Sequence, residues 1–399
     1  MIPDYATTAA KPSTVNGHRG AGPVLGAAHE DFRARVRSAL GEIVLPHADL
    51  WEQQRHIPAQ AWKALGDRGL LRLPHEGPGF LDSVVFCEEL GRTGYAGLRA
   101  AIAVHAYMAA SYLHQFGNGE QRRSYLEPAQ RGEKVAALAI TEPDAGSDLR
   151  RLATRADKAD DAHEYRLTGV KAHVANGIGA DFAVTVALTS TRTAGLAGAS
   201  VLIADLDGPA VQREAQQPLG FRSSGLASLV FDQLPVPTRN LLGPPGRALR
   251  QVMHALDFER LIAGILALGG ATYTLELLAS HTSGHMVGDT PLSSYQSVRH
   301  RLVDLTGQLA LIRQFAYYAA WQHSRGRLDT LTASTLKQKA TELELAAALT
   351  CLHYHGARGY HENSTPARLY RDAAATPITA GVNELLKDLA FEAAYMSTA

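Results

Sequence analysis

The sequence predicts an α+β fold in which helices and strands are segregated into separate domains, helices first, strands in the middle and helices again. Three observations carry this. Apolar residues recur at helical spacing over residues 27–136 and again from 247 to the end. Between them, over about 137–245, apolar and polar residues alternate and turn signals punctuate the runs. The length, 399 residues, exceeds what a single core usually holds, so two or three domains are expected. Such a block order differs from the βαβ alternation of a doubly wound sheet.

Residues 1–26, small, polar and bearing Gly and Pro, have no apolar run of signal-peptide type and are expected to be mobile. HEDFRARVRSALGEIVLPHADLW places Phe32, Val36 and Leu40 at helical spacing, with Pro46 as a stop. IPAQAWKALGDRGLLRL repeats that logic, punctuated by Gly66 and Gly69. FLDSVVFCEELGR and LRAAIAVHAYMAASYLHQFG add two more helices. HEYRLTGVKAHVANGIGADFAVTVALT then alternates as strands do, and Asn176–Gly177 between its halves is a hairpin signal. ASVLIADLD and LASLVFDQLPVP read as further strands, and NLLGPPGRA as a loop. The middle domain is set at 137–245 and the C-terminal helical domain at 246–399. In the latter, Val303, Leu305, Leu309, Ile312 and Phe315 fall near one helix face. The apolar run 261–279 contains Glu276 and follows Asp257, Glu259 and Arg260, which suits a core helix better than a membrane span.

Apolar residues make up 46% and charged residues 20%, the balance of a soluble globular chain. A net charge of zero gives no general affinity for nucleic acid or acidic membranes. The two cysteines, Cys87 and Cys351, form neither a disulfide framework nor a metal cluster, so a reducing, cytoplasmic setting is expected. No internal repeat, Walker motif or dinucleotide glycine fingerprint stands out. His353, His355 and His361 have a spacing that could gather a metal, but no nearby Cys or carboxylate cluster joins them, and no metal is expected.

The string ITEPDAGSD, residues 140–148, leaves an apolar stretch and offers the hydroxyls of Thr141 and Ser147 with free backbone N–H groups, which suit a flat polar ring or a phosphate. An ordinary capped turn, with Ser147 or Asp148 opening a helical segment, uses the same residues. TEPDAGSD resembles the signature T-E-P-x-A-G-S-D of the acyl-CoA dehydrogenase family. GVKAHVANG, LGFRSSGLASLVFDQLPVP before an LLG loop, and GYHENSTPARLYRDA before PITAGVNEL follow in the family's order, so the likeness spans roughly residues 27–396.

The resemblance implies an N-terminal helical domain, a middle β domain and a C-terminal four-helix domain, with FAD between the last two and against a neighbouring subunit of a homotetramer or dimer. It implies removal of an α-proton from an acyl thioester and hydride transfer from the β-carbon to flavin N5. It assigns flavin contacts to Leu138, Ile140, Thr141, Gly146, Ser147, His173, Ala175, His285, His353, Gly356, Ala357 and Val382. Substrate contacts fall to Ser147, Arg260, Thr379 and Gly381. The acyl carrier is CoA or a carrier protein, and the family's electron acceptor is an electron-transferring flavoprotein.

The family's usual base, a Glu in a late loop, falls here on Ala380. The isovaleryl-CoA and long-chain branches, which this pattern resembles, carry the Glu on a helix instead, and Glu259 stands at the matching place. Glu259 is therefore expected to be the base, its pKa raised by the apolar neighbours Leu256, Phe258, Leu261 and Ile262. The backbone N–H at Ala380 remains as a donor to the thioester oxygen, with Gly381 permitting close approach. Read alone, Glu259 is better taken as a surface charge in an early helical turn, paired locally; the missing loop Glu together with the relocated one favours the base.

Several family flavin contacts differ. A Trp is His173, a Thr is Ala175, an Arg is His285, a Gln is His353, a Gly is Ala357 and a Thr is Val382. Either FAD is held differently, with His285 and His353 substituting, or it is not held, leaving non-redox α-proton chemistry or a silent binding protein on the same fold. A flavin monooxygenase is disfavoured by TEPDAGSD and Glu259. Arg371 and Asp372 are expected to fix the loop before Ala380. The short segment LRLPHEGPGFLDSVVF hints at a specialised member.

Overall fold

A computed structural model describes residues 25–159, 163–190 and 192–396. Residues 1–24 of the segment expected to be mobile lie outside the described residues. Leu25 is buried, and Gly26 precedes the first helix with its carbonyl accepting from His29 N–H, so the fold begins slightly before residue 27.

The chain runs through helices, a sheet, and helices again. The first block holds Ala27–Ile43, Ala48–Gln54, Ala59–Asp67, Phe80–Gly91 and a continuous helical stretch over 96–116. The last of these contains one π turn, Val104–Ala109, a widened turn of a kind frequent near functional sites. Phe80–Gly91 is apolar on nearly every side because it is enclosed on every side. Its two glutamates are buried and neutralised, since Arg33 donates to Glu88 and to Glu89 at 2.7 Å each.

The middle block is one seven-stranded sheet in the order β1 (Ala136–Ala139), β4 (Phe182–Leu188), β2 (Arg155–Lys158), β3 (Glu164–Val174), β7 (Ala227–Pro237), β6 (Val211–Ala215), with β5 (Ala199–Asp205) also paired to β4. Both faces of β4 are covered: Phe182, Val184 and Val186 pack with Tyr112, Tyr125 and Val252, while Ala183 and Ala187 join the main core. This is why FAVTVAL reads as an unbroken apolar run.

The hairpin expected at Asn176–Gly177 does not form. β3 pairs with β2 and β7, not with β4, and the chain crosses the sheet between them. Asn176 takes the left-handed conformation the signal anticipates (φ 64°), but its side-chain amide donates to Ala101 O and Ala136 O at 2.9 and 3.1 Å. The asparagine is used to tie the sheet to the N-terminal helices.

Three long helices, Ala248–Gly284, Gln296–Ser324 and Thr330–Tyr354, dominate the last block, with shorter ones at Thr365–Ala373 and Asn383–Phe391. Ala248–Gly284 is long and apolar enough to cross a bilayer, yet 78% of its apolar window is buried within the protein. A buried ion pair locks it in place: Arg99 and Glu344 meet at 2.7 Å, and Arg99 also donates to Leu266 O at 3.0 Å. A Cβ at Gly270 would lie 2.0 Å from that Glu344 carboxylate, so the crossing requires glycine. On Gln296–Ser324, Leu305 and Leu309 are buried as expected, but Val303 is 68% exposed, so the apolar face is narrower than its spacing suggests.

Asp372 joins the three blocks. Its carboxylate, buried in Thr365–Ala373, accepts from Ala96 N–H at 3.1 Å and from Phe221 N–H at 2.8 Å. The expectation that it fixes the later loop directly is corrected: it clamps the start of the 96–116 helical stretch and the loop before β7. Replacing it with Ala strands two buried N–H groups, each costing about 1–3 kcal/mol. Asp372→Ala is thus expected to lower the thermal midpoint by roughly 5 °C or more, measured by calorimetry.

Candidate functional site

The TEPDAGSD string is built on two residues to which the sequence reading gave no role. Glu142 and Lys171 form a buried pair at 2.7 Å. Glu142 also accepts from Ala153 and Thr154 N–H at 2.6 and 3.1 Å, and Lys171 donates to Ile140 O at 2.9 Å. The neighbouring charge and the hydrogen bonds hold the Glu142 carboxyl below its usual range against the effect of burial. The pair turns the chain after β1 and leaves Thr141, Gly146 and Ser147 at the surface beside half-buried Leu138 and Ile140. Among the described residues, neither the Thr141 nor the Ser147 hydroxyl has a hydrogen-bond partner. Asp148 does form the cap that the alternative reading anticipated, accepting from Arg150 N–H at 3.1 Å.

Glu259 lies on the inner side of Ala248–Gly284 and is 6% exposed. Its Oε1 is buried with no hydrogen-bond partner. Desolvation pushes its pKa up to about 7, opposed by the adjacent Arg260 charge. The surface-charge reading of Glu259 is excluded. Arg260 is also buried and donates to Asp257 at 2.8 Å, while Asp257 accepts from Thr330 at 2.7 Å, which orients the start of Thr330–Tyr354.

A lysine connects this turn to the late loop. Lys337, fully buried on Thr330–Tyr354, donates to Gly381 O at 2.6 Å, to Asn383 Oδ1 at 3.0 Å and to Pro377 O at 3.1 Å. Burial pushes its pKa down to about 8, assisted by the nearby Arg260 charge. One turn after Arg260, a Cβ on Gly264 would come within 2.8 Å of Leu336 Cγ, so the two helices touch there. Glu259, Arg260, Lys337 and the 377–383 loop therefore form one contiguous assembly. Within it, Ala380 takes a left-handed conformation (φ 53°), a strained one for a residue with a Cβ. Its N–H has no partner among the described residues, and Ala380, Gly381 and Val382 are half-exposed while Thr379 is exposed.

The sequence reading missed Lys337. A lysine opposite apolar residues in LTASTLKQKATELEL looks like a solvated charge; the available signal was its place three residues after Ser334 on a face of small apolar side chains.

The remaining flavin-contact positions lie farther out. His173 is exposed, left-handed (φ 55°) and bonded to Gln216 at 2.8 Å, and Ala175 is half-exposed. His353, Gly356 and Ala357 are exposed near the end of Thr330–Tyr354. His285 and His355 both stack on His281, at 5.0 and 3.7 Å, and burial with the His355 charge pushes His281 down to about 4. The centre of this stack is neutral near pH 7, unlike a guanidinium. His355 Nδ1 meets Cys351 O at 2.7 Å, and the described residues gather no set of three metal-ligating side chains.

Lys337→Met leaves Gly381 O without a donor and reduces Pro377 O to the Asn383 N–H and Asn383 Oδ1 to the Thr341 hydroxyl. The expected result is faster amide hydrogen exchange across 377–383, by about tenfold or more, with a stability loss of about 1–3 kcal/mol.

Family models for the acyl-CoA dehydrogenase N-terminal, middle and C-terminal domains match residues 26–133, 137–234 and 246–394. The chain is 29% identical over 370 residues to the mitochondrial long-chain specific acyl-CoA dehydrogenase of Sus scrofa, covering 90% of this chain and 85% of that protein. It is 30% identical over 361 residues to a probable acyl-CoA dehydrogenase of Bacillus subtilis, covering 88% and 94%. The crystal structure of acyl-CoA dehydrogenase from Geobacillus kaustophilus superposes with a TM-score of 0.87 at 30% identity, covering 92% of this chain and 98% of that one. The segregated helix–sheet–helix order, the turn built on Glu142 and Lys171 and these matches have one explanation: the chain belongs to the acyl-CoA dehydrogenase family.

Proposed function

We propose that Glu259 is the base that removes the α-proton of an acyl thioester, and that the Ala380 N–H donates to the thioester oxygen as negative charge develops there. The reaction class is that of the family, oxidation of a CH–CH bond. The observation that carries the residue assignment is a buried, unpartnered carboxylate with a pKa near 7, on a helix that packs at Gly264 against the helix whose Lys337 holds the loop bearing the free Ala380 N–H. An acid of that strength, kept from water, suits proton abstraction near neutrality.

The donor set fits FAD. Leu138 and Ile140 give an apolar floor beside the unpartnered Thr141 and Ser147 hydroxyls, the pattern a flat ring with polar edges requires. Ala175 and Val382 add half-exposed apolar edges; His173, His285, His353, Gly356 and Ala357 are the positions toward the rest of the cofactor and a second subunit. When bound, FAD supplies the acceptor for the β-hydride. The protein holds the thioester against Ser147, Arg260, Thr379 and Gly381, takes the proton at a Glu259 carboxylate oxygen and stabilises the enolate through Ala380 N–H.

Val303 and Leu311, 68% and 75% exposed, lie with Tyr318 on one side of Gln296–Ser324, an apolar face that suits a second copy in a homo-oligomer. The two free, buried cysteines fit a reducing compartment. An acyl-CoA, with an electron-transferring flavoprotein as acceptor, is the reading the relatives support. A carrier-protein thioester is its competitor, decided by comparing turnover of matched acyl groups on the two carriers.

Glu259→Gln is expected to retain flavin while thioester-driven bleaching of the flavin slows about 10³-fold. Near-normal bleaching would exclude the assignment. Flavin-free protein that still exchanges the α-proton would favour isomerisation. In the parent protein the bleaching rate should rise with pH through about 7 as Glu259 ionises. Stability runs the other way. The folded pKa exceeds the unfolded value, so the contribution is fully present below about 4.5 and is lost as pH rises through about 7. Glu259→Gln should flatten that part of the stability profile in urea titrations.

A further inference from the structure

We infer that Asn383 is a positioning residue for the proposed reaction: its side-chain amide aims the Lys337 ammonium at the late loop and so holds the Ala380 N–H in the direction from which it meets the thioester oxygen. The inference rests on the thioester reading above and deepens it by naming the residue that sets the donor's direction. Asn383 opens Asn383–Phe391 and is 3% exposed. An asparagine near a helix start commonly turns back on the local backbone. This one reaches across to Thr330–Tyr354 instead. Its Oδ1 accepts from Lys337 Nζ at 3.0 Å, and its Nδ2 donates to Thr341 Oγ1 at 3.1 Å. The partners fix the amide's orientation. An ammonium has donors only, so the oxygen must face Lys337 and the nitrogen Thr341. The Thr341 hydroxyl donates to Lys337 O, one turn back, at 2.9 Å, which leaves its oxygen to accept from Nδ2.

The Lys337 ammonium has three protons and three acceptors: Gly381 O at 2.6 Å, Asn383 Oδ1 at 3.0 Å and Pro377 O at 3.1 Å. Of these three, Oδ1 alone belongs to a side chain. Asn383 also closes the loop through its backbone, whose N–H donates to Pro377 O at 2.9 Å. Ala380 lies inside both ties, at φ 53°, and is followed by Gly381 at φ 91°. A left-handed alanine persists only where its surroundings hold it. Without Oδ1 the ammonium keeps a buried proton that has no acceptor. It turns to find one, its hold on Gly381 O slackens, and the Ala380 N–H leaves its direction. The backbone tie to Pro377 O survives, so the loop stays attached while its donor is misaimed.

The test compares flavin-loaded parent protein with Asn383→Leu, which removes both amide contacts at similar volume, and with Asn383→Asp, which keeps an oxygen toward Lys337. Flavin bleaching is followed over a concentration series of whichever of butyryl-, octanoyl- and palmitoyl-CoA bleaches the parent fastest, which separates the limiting rate from the half-saturating concentration. Asn383→Leu should lower the limiting rate about 30- to 100-fold and change the half-saturating concentration by less than about threefold. Asn383→Asp should recover about tenfold or more of that loss. With no thioester present, amide exchange across 377–383 should quicken about tenfold in Asn383→Leu and stay near the parent value in Asn383→Asp. Should Asn383→Leu fail to fold, Thr341→Val, which removes only the acceptor for Nδ2, should lower the limiting rate about three- to tenfold at unchanged flavin content. An unchanged limiting rate or unchanged exchange in Asn383→Leu, an unchanged limiting rate in Thr341→Val where that variant is the one measured, or equal losses in Asn383→Leu and Asn383→Asp, overturns the inference. The dehydrogenase reading then stands, because the parent protein still bleaches. A parent protein that none of the three thioesters bleaches overturns both.

Discussion

Three oxygens of the late loop converge on one ammonium, that of Lys337, and the arrangement of the candidate site depends on this contact. Inside the protein such charge-assisted bonds are stronger than in water, and the cost of leaving them unmade is larger. Because the ammonium approaches from the helix side, the carbonyls of Pro377 and Gly381 point inward. The peptide between them must then turn its N–H outward, which Ala380 achieves in a left-handed conformation. The strain at Ala380 is thus the local consequence of satisfying Lys337. The close approach at Gly264 sets how far that ammonium sits from Glu259 and Arg260.

Placing the proposed base on a long core helix has an energetic logic. A carboxyl on a loop is easily hydrated and titrates like a free acid, whereas one on Ala248–Gly284 is dehydrated by the packing that stabilises the fold. The same burial that raises Glu259 to about 7 makes its ionised form costly, so the fold must tolerate a destabilised anion. The adjacent Arg260, itself paired to Asp257, opposes that cost, and the pair of Arg99 with Glu344 anchors the same helix farther along, at Leu266 and Gly270. The site is rigid because its supports are ionic and internal, and rigid supports keep a base within reach of a C–H bond.

Much of this was legible in the sequence. Helical spacing and strand alternation located the three blocks, since each element buries one face and its residues obey that face's period. ITEPDAGSD and the displaced glutamate pointed to the site through resemblance, and the apolar neighbours of Glu259 correctly implied burial. What escaped were residues whose role depends on a partner far along the chain. Lys337 resembles any helical lysine until Pro377 and Gly381 are brought to it. Asn176 has the local form of a hairpin residue, but its amide is claimed by Ala101 and Ala136, and the neighbouring strands pair elsewhere. Val303 has the right spacing for the core but lies on the rim of its helix.

The departures from the family pattern have a spatial order that a string comparison does not reveal. His173 and His353 are exposed, and His285 belongs to a stack at the far end of Ala248–Gly284, about seven turns from the one that carries Glu259. Two departures, Ala380 and Val382, fall within the inner loop, whose backbone Lys337 still holds through Pro377 O and Gly381 O. A change in the outer ring alters charge, since the imidazole at the centre of the stack, His281, is held neutral where a guanidinium would attract a phosphate. The proposed base and the proposed cofactor contacts at His173, His285 and His353 are therefore spatially separate in this fold, the former buried and the latter near the surface, where substitution costs little stability.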